Sequence, residues 1–445
     1  MRRLLSTLGL VVVLAALGGY IYFFMGEEST PGSGLEKVFP SAAADKISEV
    51  TVRSESGDVT TIQKDGTAWK LTSPIATGAA EAEASGLVSG LAQAEIVRVI
   101  DSNPSNLGEY GLEKPRIQIE FKGADGVSGR LSVGDTTPTG AALYARRNDE
   151  PPVFLIEATL DASLNRSTFD LRDKTFVTVP RDKVQTITVA GEGPPIVVAK
   201  QGEAWRLTAP VQARASYAVA EGLLGRLDTT MITSIATENA TPADLATYGL
   251  DRPIGTITVA LADSEPLVVE FGSDAPNGVY ARERANPRVV TVEKSVADSL
   301  KNGTEAWREK NIFAFRPFST TRVEVAWSGK TMVLEKTPAE GDKPEAWKRT
   351  APTAAELDKA KVDELLNNVS ELRATSFRPG TGETGLNAPA LTFSVKFDDG
   401  KQEEKVSFGR VGDTVYTSRA DDPGVATIDL EPFTRALATL DELAK

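Results

Sequence analysis

Trp69-Lys70-Leu71-Thr72-Ser73-Pro74 is the first of three related stretches in this chain of 445 residues. The second runs from Trp205 to Pro210, and the third from Trp347 to Pro352. Downstream of each Trp, apolar residues recur at identical offsets, and their spacing of i, i+3, i+4, i+7 predicts one buried face of a helix. These residues are Ala84, Leu87, Val88 and Leu91; Ala220, Leu223, Leu224 and Leu227; and Val362, Leu365, Leu366 and Val369. The repetition predicts one module that occurs three times.

A second motif follows each predicted helix. It contains Gly and Pro at matched positions, which are Gly111 and Pro115, Gly249 and Pro253, and Gly385 and Pro389. Asn103, Pro104 and Gly111 predict a short helical turn with favoured N-cap, N1 and C′ residues. Module two repeats this device from Thr241 onward, and we expect a shortened turn in module three. We interpret the residues of both motifs as structural repeats that bind no ligand.

The strands predicted around these motifs are short and closely connected. Each module has three strand-like runs before the helix and four after it, and a short helix ends near Leu164, Leu300 or Leu437. Short connections favour antiparallel hairpins over crossover units. We therefore predict an α+β fold, in which each module is a mainly antiparallel sheet with one packed amphipathic helix and a short C-terminal helix.

The repeats also predict the domain boundaries, because a chain of this length is expected to hold about three domains. We expect a cytoplasmic stub and transmembrane helix at 1–25, a tether at 26–37, and modules at 38–172, 173–310 and 311–445. The joints before modules two and three are charged and end in aromatic residues, in contrast to a flexible Gly/Ser linker. This composition predicts that the modules are docked.

An uncharged, mainly apolar run at 4–25 includes Leu4, Val11, Leu17, Tyr20 and Met25. As a helix it spans about 33 Å, enough to cross a hydrocarbon layer of roughly 30 Å. Arginines precede the run and glutamates follow it, so the positive-inside rule places the N-terminus in the cytoplasm. The competing interpretation is a cleaved secretory signal with a cleavage site at Ala16-Leu17-Gly18. In both cases we expect the bulk of the chain in the periplasm.

Composition excludes several classes of function. The net charge of −13 argues against nucleic-acid binding, which requires a basic face. The chain contains no Cys and no His, which excludes disulfides, Cys- or His-ligated metals and the Ser-His-Asp and Cys-His types of catalysis. We predict a protein that is not an enzyme and has no cofactor and no metal site.

Three groups of residues are candidates for a site. The Trp residues are expected in the cores, and the alternative is a row of exposed rings that stacks on sugar or peptide. The acidic pairs Asp398-Asp399 and Asp421-Asp422 are expected at turns, where Asp bonds to its own backbone. Neither of the first two modules is expected to have an equivalent pair. Gly329-Lys330-Thr331 ends like a phosphate-binding loop but is expected to be a hairpin turn.

The order of these motifs resembles the bacterial family known as "domain of unknown function 4340". The motifs are the near-N-terminal anchor, Trp-x-Leu-Thr-x-Pro, the helix, Tyr-Gly-Leu-x-x-Pro, a strand ending in Gly, and Tyr-Ala-Arg. The third copy departs from the pattern at Arg349, Thr384 and Thr417-Ser418. Members have no assigned catalytic residues, so the resemblance transfers none. It implies an envelope protein that is an accessory of an ABC-type transport system similar to gliding-motility components.

Three hypotheses follow. The first is a membrane-anchored periplasmic scaffold or adaptor without catalytic activity, whose partners are the inner membrane and the proteins of a membrane complex. The second is an envelope module that binds glycan, peptidoglycan or peptide through sheet edges or exposed aromatic rings. The third is a carboxylate-based hydrolase, which requires two acidic residues in one cleft and a raised pKa on one of them.

Overall fold

The computed structural model describes residues 35–339, 344–379 and 382–445, apart from the side chain of Asp125. The chain forms two compact units that divide after Lys174. Unit one holds module one, and unit two holds modules two and three. Each module contains one nine-stranded sheet.

Module one places its sheet strands in the order β5-β4-β3-β2-β8-β9-β10-β11-β7. Three short 3₁₀ helices, at Leu107–Tyr110, Ala124–Gly126 and Ala158–Leu160, complete the module. Its strands and α-helices are β1 (Glu36–Lys37), β2 (Ile47–Arg53), β3 (Val59–Asp65), β4 (Ala68–Ser73), β5 (Thr77–Gly78), α1 (Glu81–Gln93), β6 (Glu95–Ile96), β7 (Arg98–Asp101), β8 (Ile117–Gly123), β9 (Ser128–Thr136), β10 (Ala142–Arg147), β11 (Val153–Glu157), α2 (Asp161–Leu164) and α3 (Thr168–Leu171).

Module two repeats this order with β15-β14-β13-β12-β17-β18-β19-β20-β16. It has 3₁₀ helices at Arg181–Lys183 and Lys294–Lys301. Its other elements are β12 (Val184–Ala190), β13 (Ile196–Gln201), β14 (Ala204–Ala209), β15 (Ala213–Arg214), α4 (Tyr217–Thr229), β16 (Ser234–Thr237), α5 (Pro242–Thr247), β17 (Gly255–Leu261), β18 (Leu267–Ala275), β19 (Gly278–Glu283), β20 (Val289–Val292) and α6 (Thr304–Trp307).

Module three has the same order again, β24-β23-β22-β21-β26-β27-β28-β29-β25. A 3₁₀ helix at Pro317–Ser319 precedes its first strand. Its elements are β21 (Thr320–Trp327), β22 (Lys330–Thr337), β23 (Ala346–Ala351), β24 (Ala355–Leu357), α7 (Lys359–Ser370), β25 (Ala374–Arg378), β26 (Leu391–Phe397), β27 (Gln402–Val411), β28 (Thr414–Arg419), β29 (Asp422–Ile428) and α8 (Leu430–Leu443).

The shared topology confirms the α+β prediction and the three modules. In module one, β2 to β5 form one antiparallel meander and β8 to β11 form another, and the antiparallel pair β2–β8 joins them. Helix α1 carries the chain from one edge of the sheet to β7 at the other edge. The sequence predicts seven strands per module, and the structure adds the short edge strands β5 and β7. These strands are too short for an alternating pattern.

The main helix of each module covers one face of its sheet, as its periodicity predicts. The helices α1, α4 and α7 bury all twelve predicted apolar positions. Trp69, Trp205 and Trp347 lie on β4, β14 and β23 and retain only 5%, 2% and 1% of their exposure. Each of these strands ends at the residue before the motif proline, as predicted, and the three prolines follow cis peptide bonds.

Several local predictions are wrong. Asn106, not Asn103, caps the first helical turn, with its side chain accepting the N–H of Gly108 at 2.9 Å. The final helix of module three is not short, since α8 has 14 residues. The predicted tether at 26–37 ends too late, because Glu36–Lys37 pairs with Glu95–Ile96 as a two-stranded sheet. These backbone groups are satisfied by a partner that lies far away in sequence.

Other local predictions are confirmed. Thr241 caps α5 with Pro242 at N1 and Asp244 completing a capping box. No helical turn forms at the equivalent place among the described residues of module three, where Gly385 keeps a φ of 70°. Gly329 and Lys330 belong to the hairpin between β21 and β22, with a φ of 74° at the glycine. The prediction that the modules are docked is confirmed for modules two and three, which belong to one compact unit.

The predicted membrane anchor, with Leu4, Val11, Leu17, Tyr20 and Met25, lies outside the described residues. Within the described ranges, no helix is both long and apolar enough to cross a membrane. The transmembrane helix therefore stays a prediction from the sequence.

A close backbone contact explains two of the repeated glycine motifs together. A Cβ built on Gly272, at the middle of β18, lies 2.1 Å from the carbonyl oxygen of Tyr248, which precedes Gly249. The matched atoms lie 2.1 Å apart at Gly134 and Tyr110, and 2.2 Å apart at Gly409 and Thr384. The Tyr-Gly-Leu turn, Thr-Gly-Leu in module three, therefore packs against the strand that carries this glycine, and the contact has no space for a side chain. The prediction that these strands end in Gly is wrong, since β9, β18 and β27 continue to Thr136, Ala275 and Val411.

We expect Gly272→Ala to lower the free energy of unfolding of unit two by about 3 kcal/mol, because the added methyl must displace backbone. Chemical denaturation measures the loss. Gly222→Ala on α4 is the matched control, since a Cβ there meets nothing within 4 Å. An alanine in an open helical position is expected to stabilise by about 0.5–1 kcal/mol. Equal effects of the two substitutions would contradict the close-contact interpretation.

Candidate functional site: the charged interface of modules two and three

The repeat residues do not converge on one site. Each Trp is buried in its own module, which excludes a row of exposed indole rings and confirms the core interpretation. Trp205 donates its Nε1–H to Glu221 on α4 at 3.0 Å, so this indole joins strand to helix. The motif glycines and prolines likewise lie at turns within single modules.

The two acidic pairs differ from each other. Asp398 and Asp399 occupy a turn between β26 and β27 with positive φ values, as predicted. Asp422 begins β29 and is buried, with 8% exposure, so the turn prediction is wrong for this residue. Its carboxylate bonds to groups of module two, whose positive charges replace the water that a surface turn would supply.

Asp422 joins the two modules through three contacts. Its Oδ1 accepts the backbone N–H of Arg214 on β15 at 3.3 Å and an N–H from Arg308 Nη2 at 3.3 Å. Its Oδ2 lies 3.7 Å from Arg214 Nε. Both arginines belong to module two and are themselves almost fully buried, with side-chain exposures of 13% and 10%. The carboxylate therefore bonds to a backbone N–H of β15, the edge strand of the module-two sheet.

A second ion pair supports the first from within module three. Arg419, at the end of β28, donates to Glu404 at 3.1 Å, and both side chains are 8% exposed. Glu404 also accepts the backbone N–H of Ala314 at 2.9 Å. Arg419 donates further to the carbonyl of Ile312 at 2.8 Å, and Arg214 donates to that of Asn311 at 2.6 Å. The charges thus hold the joint between the modules in place.

A small cavity lies inside this cluster. Its volume is about 20 Å³, and its lining includes Arg214, Arg308, Phe377 and Asp422. The Arg308 guanidinium lies 3.8 Å from the ring centre of Phe377, a cation–π contact between the modules. The Nε groups of Arg214 and Arg308 are buried without a hydrogen-bond partner, and the volume is sufficient for one water molecule.

The charged side chains of this interface are paired with each other, which is typical of a structural contact between modules. The carboxylates of Asp422 and Glu404 are both held by arginine, a residue that stays charged in proteins. Among the described residues, no group of three or more Asp or Glu side chains is placed to hold a metal ion. In some proteins, paired and hydrogen-bonded charges of this kind specify one relative position of two elements.

A pattern in the sequence could have revealed part of the interface. Arg147 in module one aligns with Arg419, since each lies six residues before a matched Val of the next strand. Asp149-Glu150 then aligns with Asp421-Asp422, so the expectation that no equivalent pair exists is wrong for module one. Arg147 also donates to the carbonyl of Val38 at 3.0 Å, as Arg419 does to Ile312.

The pKa values in the cluster follow from burial and charge. Burial and the positive charge of Arg419 lower the pKa of Arg214 below its ordinary value. Burial by itself raises the pKa of Asp421, but the hydrogen bond and charge of Arg419 outweigh it and hold that pKa below its ordinary value. The cluster therefore favours the ionised form of Asp421.

A pH dependence follows from Asp421. Because its folded-state pKa lies below the unfolded value near 3.8, it contributes stability that is fully present above that pH and is lost as the pH falls through the folded-state pKa. We expect the melting temperature to fall less steeply below about pH 4 in Asp421→Asn than in the wild type. Asp413→Asn, at a side chain that is 93% exposed, is the charge-matched control. Parallel profiles for all three proteins would contradict the prediction.

Comparison with family models identifies the repeat. The model described as "Domain of unknown function (DUF4340)" matches residues 69–236 and 205–389, two overlapping regions that together cover most of the chain. The chain belongs to this family. Each DUF4340 match begins at a repeated Trp and continues past the helix of the following module. The family model is therefore offset from the sheets. No curated protein and no solved structure matches this DUF4340 chain.

Proposed function

We propose that this DUF4340 protein is a non-catalytic scaffold or adaptor of the bacterial inner membrane. Residues 4–25 would form its single transmembrane helix, with the N-terminus in the cytoplasm and the three modules in the periplasm. Its place would be that of an accessory to an ABC-type transport complex or a gliding-motility-like envelope complex. The family resemblance and the apolar run at 4–25 support this location.

The observation that carries the proposal is the charged interface. Asp422, Arg214 and Arg308 are buried and joined to each other across two modules. Such groups are costly to desolvate and, in several proteins, fix a single geometry. A protein that positions other components benefits from modules held at one fixed orientation.

The test is co-purification of the full chain from membranes solubilised in mild detergent, after chemical crosslinking. The expected result is a stoichiometric set of membrane-complex proteins. The control carries Val11→Arg and Leu17→Arg, which are expected to prevent membrane insertion because each Arg costs about 2.5–3.5 kcal/mol at the centre of a spanning helix. Recovery of the wild-type chain as a lone monomer would overturn the proposal.

A second candidate function, envelope binding, has one observation in its favour. Phe318 is 73% exposed, and it borders a depression of about 540 Å³ with Lys336, Lys401 and Glu345. Modules one and two have Asp45 and Asp182 at the matched position, so the aromatic ring is specific to module three. Retention on purified peptidoglycan or glycan resin that Phe318→Ala abolishes would favour this function over the first.

A further inference from the structure

In modules one and two, the sheet edge formed by β5 or β15 is covered by the segment of the chain that follows the last helix of the module. The segment that follows module one forms a bridge between Arg172 and Ala79, and the N–H of Asp173 bonds to the carbonyl of Gly78 on β5 at 2.9 Å. In module two, Arg308 bridges Ala215. The short strands β5 and β15 thus carry an added extended segment.

The same geometry recurs in detail at β15. The N–H of Glu309 bonds to the carbonyl of Arg214 at 3.0 Å, and the N–H of Ser216 bonds to that of Trp307 at 2.8 Å. Glu309 therefore lies opposite Arg214 in the register, while the Arg214 side chain pairs with Asp422 and the Glu309 carboxylate accepts the N–H of Asn311. Two independent copies of the module use this edge to bind an extended segment.

The third copy presents this edge without such a segment. Register pairs Lys348 with Glu356 in β23–β24, just as it pairs Arg206 with Arg214 in β14–β15, so Glu356 occupies the place of Arg214. Within the described parts of module three, no backbone bond or bridge reaches Glu356 from a further strand. Glu356 is exposed, and Leu357 beside it is half-buried. Such an edge is a template for strand addition.

We propose that the outer edge of β24 binds an extended strand of a partner protein that carries a basic side chain opposite Glu356. The charge at this position decides the class of partner. Glu356 is exposed and negatively charged, and opposite charges stabilise a directly opposed cross-strand pair whereas like charges destabilise it, so this position favours Lys or Arg on the added strand. A second copy of this chain is a poorer occupant. Asp422 of module three bonds to Arg214 on the matched edge of module two, and Asp149-Glu150 is the corresponding pair in module one. A second copy that docked its module one on β24 in the same way would place these acidic side chains beside Glu356.

The proposal does not rest on the scaffold function, because the edge of β24 is equally open if the protein is an envelope-binding module. The probes are three peptides with the sequence of residues 308–313. One has the natural sequence Arg-Glu-Lys-Asn-Ile-Phe, one carries Glu309→Lys, and one carries Glu309→Pro, which removes the N–H that bonds to the edge. The proteins are the full chain and its Glu356→Lys variant, and this exposed substitution is expected to leave the fold intact.

Hydrogen exchange at residues 355–358 reports the site, and fluorescence anisotropy reports affinity. We expect the Glu309→Lys peptide to bind the wild type about three- to five-fold more tightly than the natural peptide, and Glu356→Lys to reverse that order. The Glu309→Pro peptide is expected not to slow exchange at these residues. Three results would overturn the proposal: no slowing by any peptide, an order that Glu356→Lys leaves unchanged, or self-association of the full chain that Glu356→Lys abolishes.

Discussion

Trp205→Ala is expected to lower the free energy of unfolding of unit two by about 3–5 kcal/mol. The indole is 2% exposed and donates to Glu221 on α4, so the substitution removes buried apolar area and leaves a cavity between strand and helix. It also leaves one oxygen of Glu221 without its indole donor. Denaturant unfolding, followed by circular dichroism, measures the loss.

The control for this prediction is Phe318→Ala in the same unit. That ring is 73% exposed, and its removal is expected to change stability by less than about 0.5 kcal/mol. A loss below about 1 kcal/mol for Trp205→Ala would mean that the indole contributes little to the core. The recurrence of Trp at this position in all three modules would then not be explained by core packing.

The parts of the fold that the sequence predicts are those encoded by local periodicity. The helix spacing placed Leu87, Leu223 and Leu365 on buried faces, and all three are buried in the structure. Burial along a helix depends on the angular position of each residue, which the order of residues alone determines. The number of modules follows from the same repeated pattern.

The parts that sequence reasoning missed depend on contacts between distant residues. Strand β5 has two residues and β7 has four, and neither alternates apolar and polar side chains. They are strands because β4 and β11 supply hydrogen-bond partners. Their identity as strands is a property of the assembled sheet, and a local pattern cannot reveal it.

The same reason explains the missed interface. Arg214 and Asp422 are separated by 208 positions in the sequence, and a local reading assigns Asp422 to a turn because Asp is common there. The decisive fact is that module two brings two arginines to this position. The recurrence of Arg147 and Arg419 before an acidic pair is a sign that sequence comparison between the modules can detect.

Asp422→Asn is expected to lower the free energy of unfolding of unit two by about 3–5 kcal/mol. The substitution preserves the size of the side chain and removes its charge, which leaves Arg214 and Arg308 buried beside a neutral amide. An uncompensated buried charge costs much more than a lost surface ion pair, whose typical worth is about 0–1 kcal/mol. Asp413→Asn, at a 93% exposed side chain, is therefore expected to have little effect.

A double substitution tests separately whether the charges stabilise unit two and whether they fix the orientation of module two relative to module three. Exchange of Asp422 and Arg308 for Leu and Met removes one of the two ion pairs, and buried ion pairs replaced by apolar groups often lose no stability. Arg214 stays charged and keeps its hydrogen bonds to the carbonyls of Asn311 and Ile312. We therefore expect Asp422→Leu with Arg308→Met to recover part of the stability that Asp422→Asn loses. Crosslinks between modules two and three in the full chain report their relative position. If the stable double variant also keeps the wild-type crosslinks, the charges do not fix the orientation, and packing around Phe377 must do so.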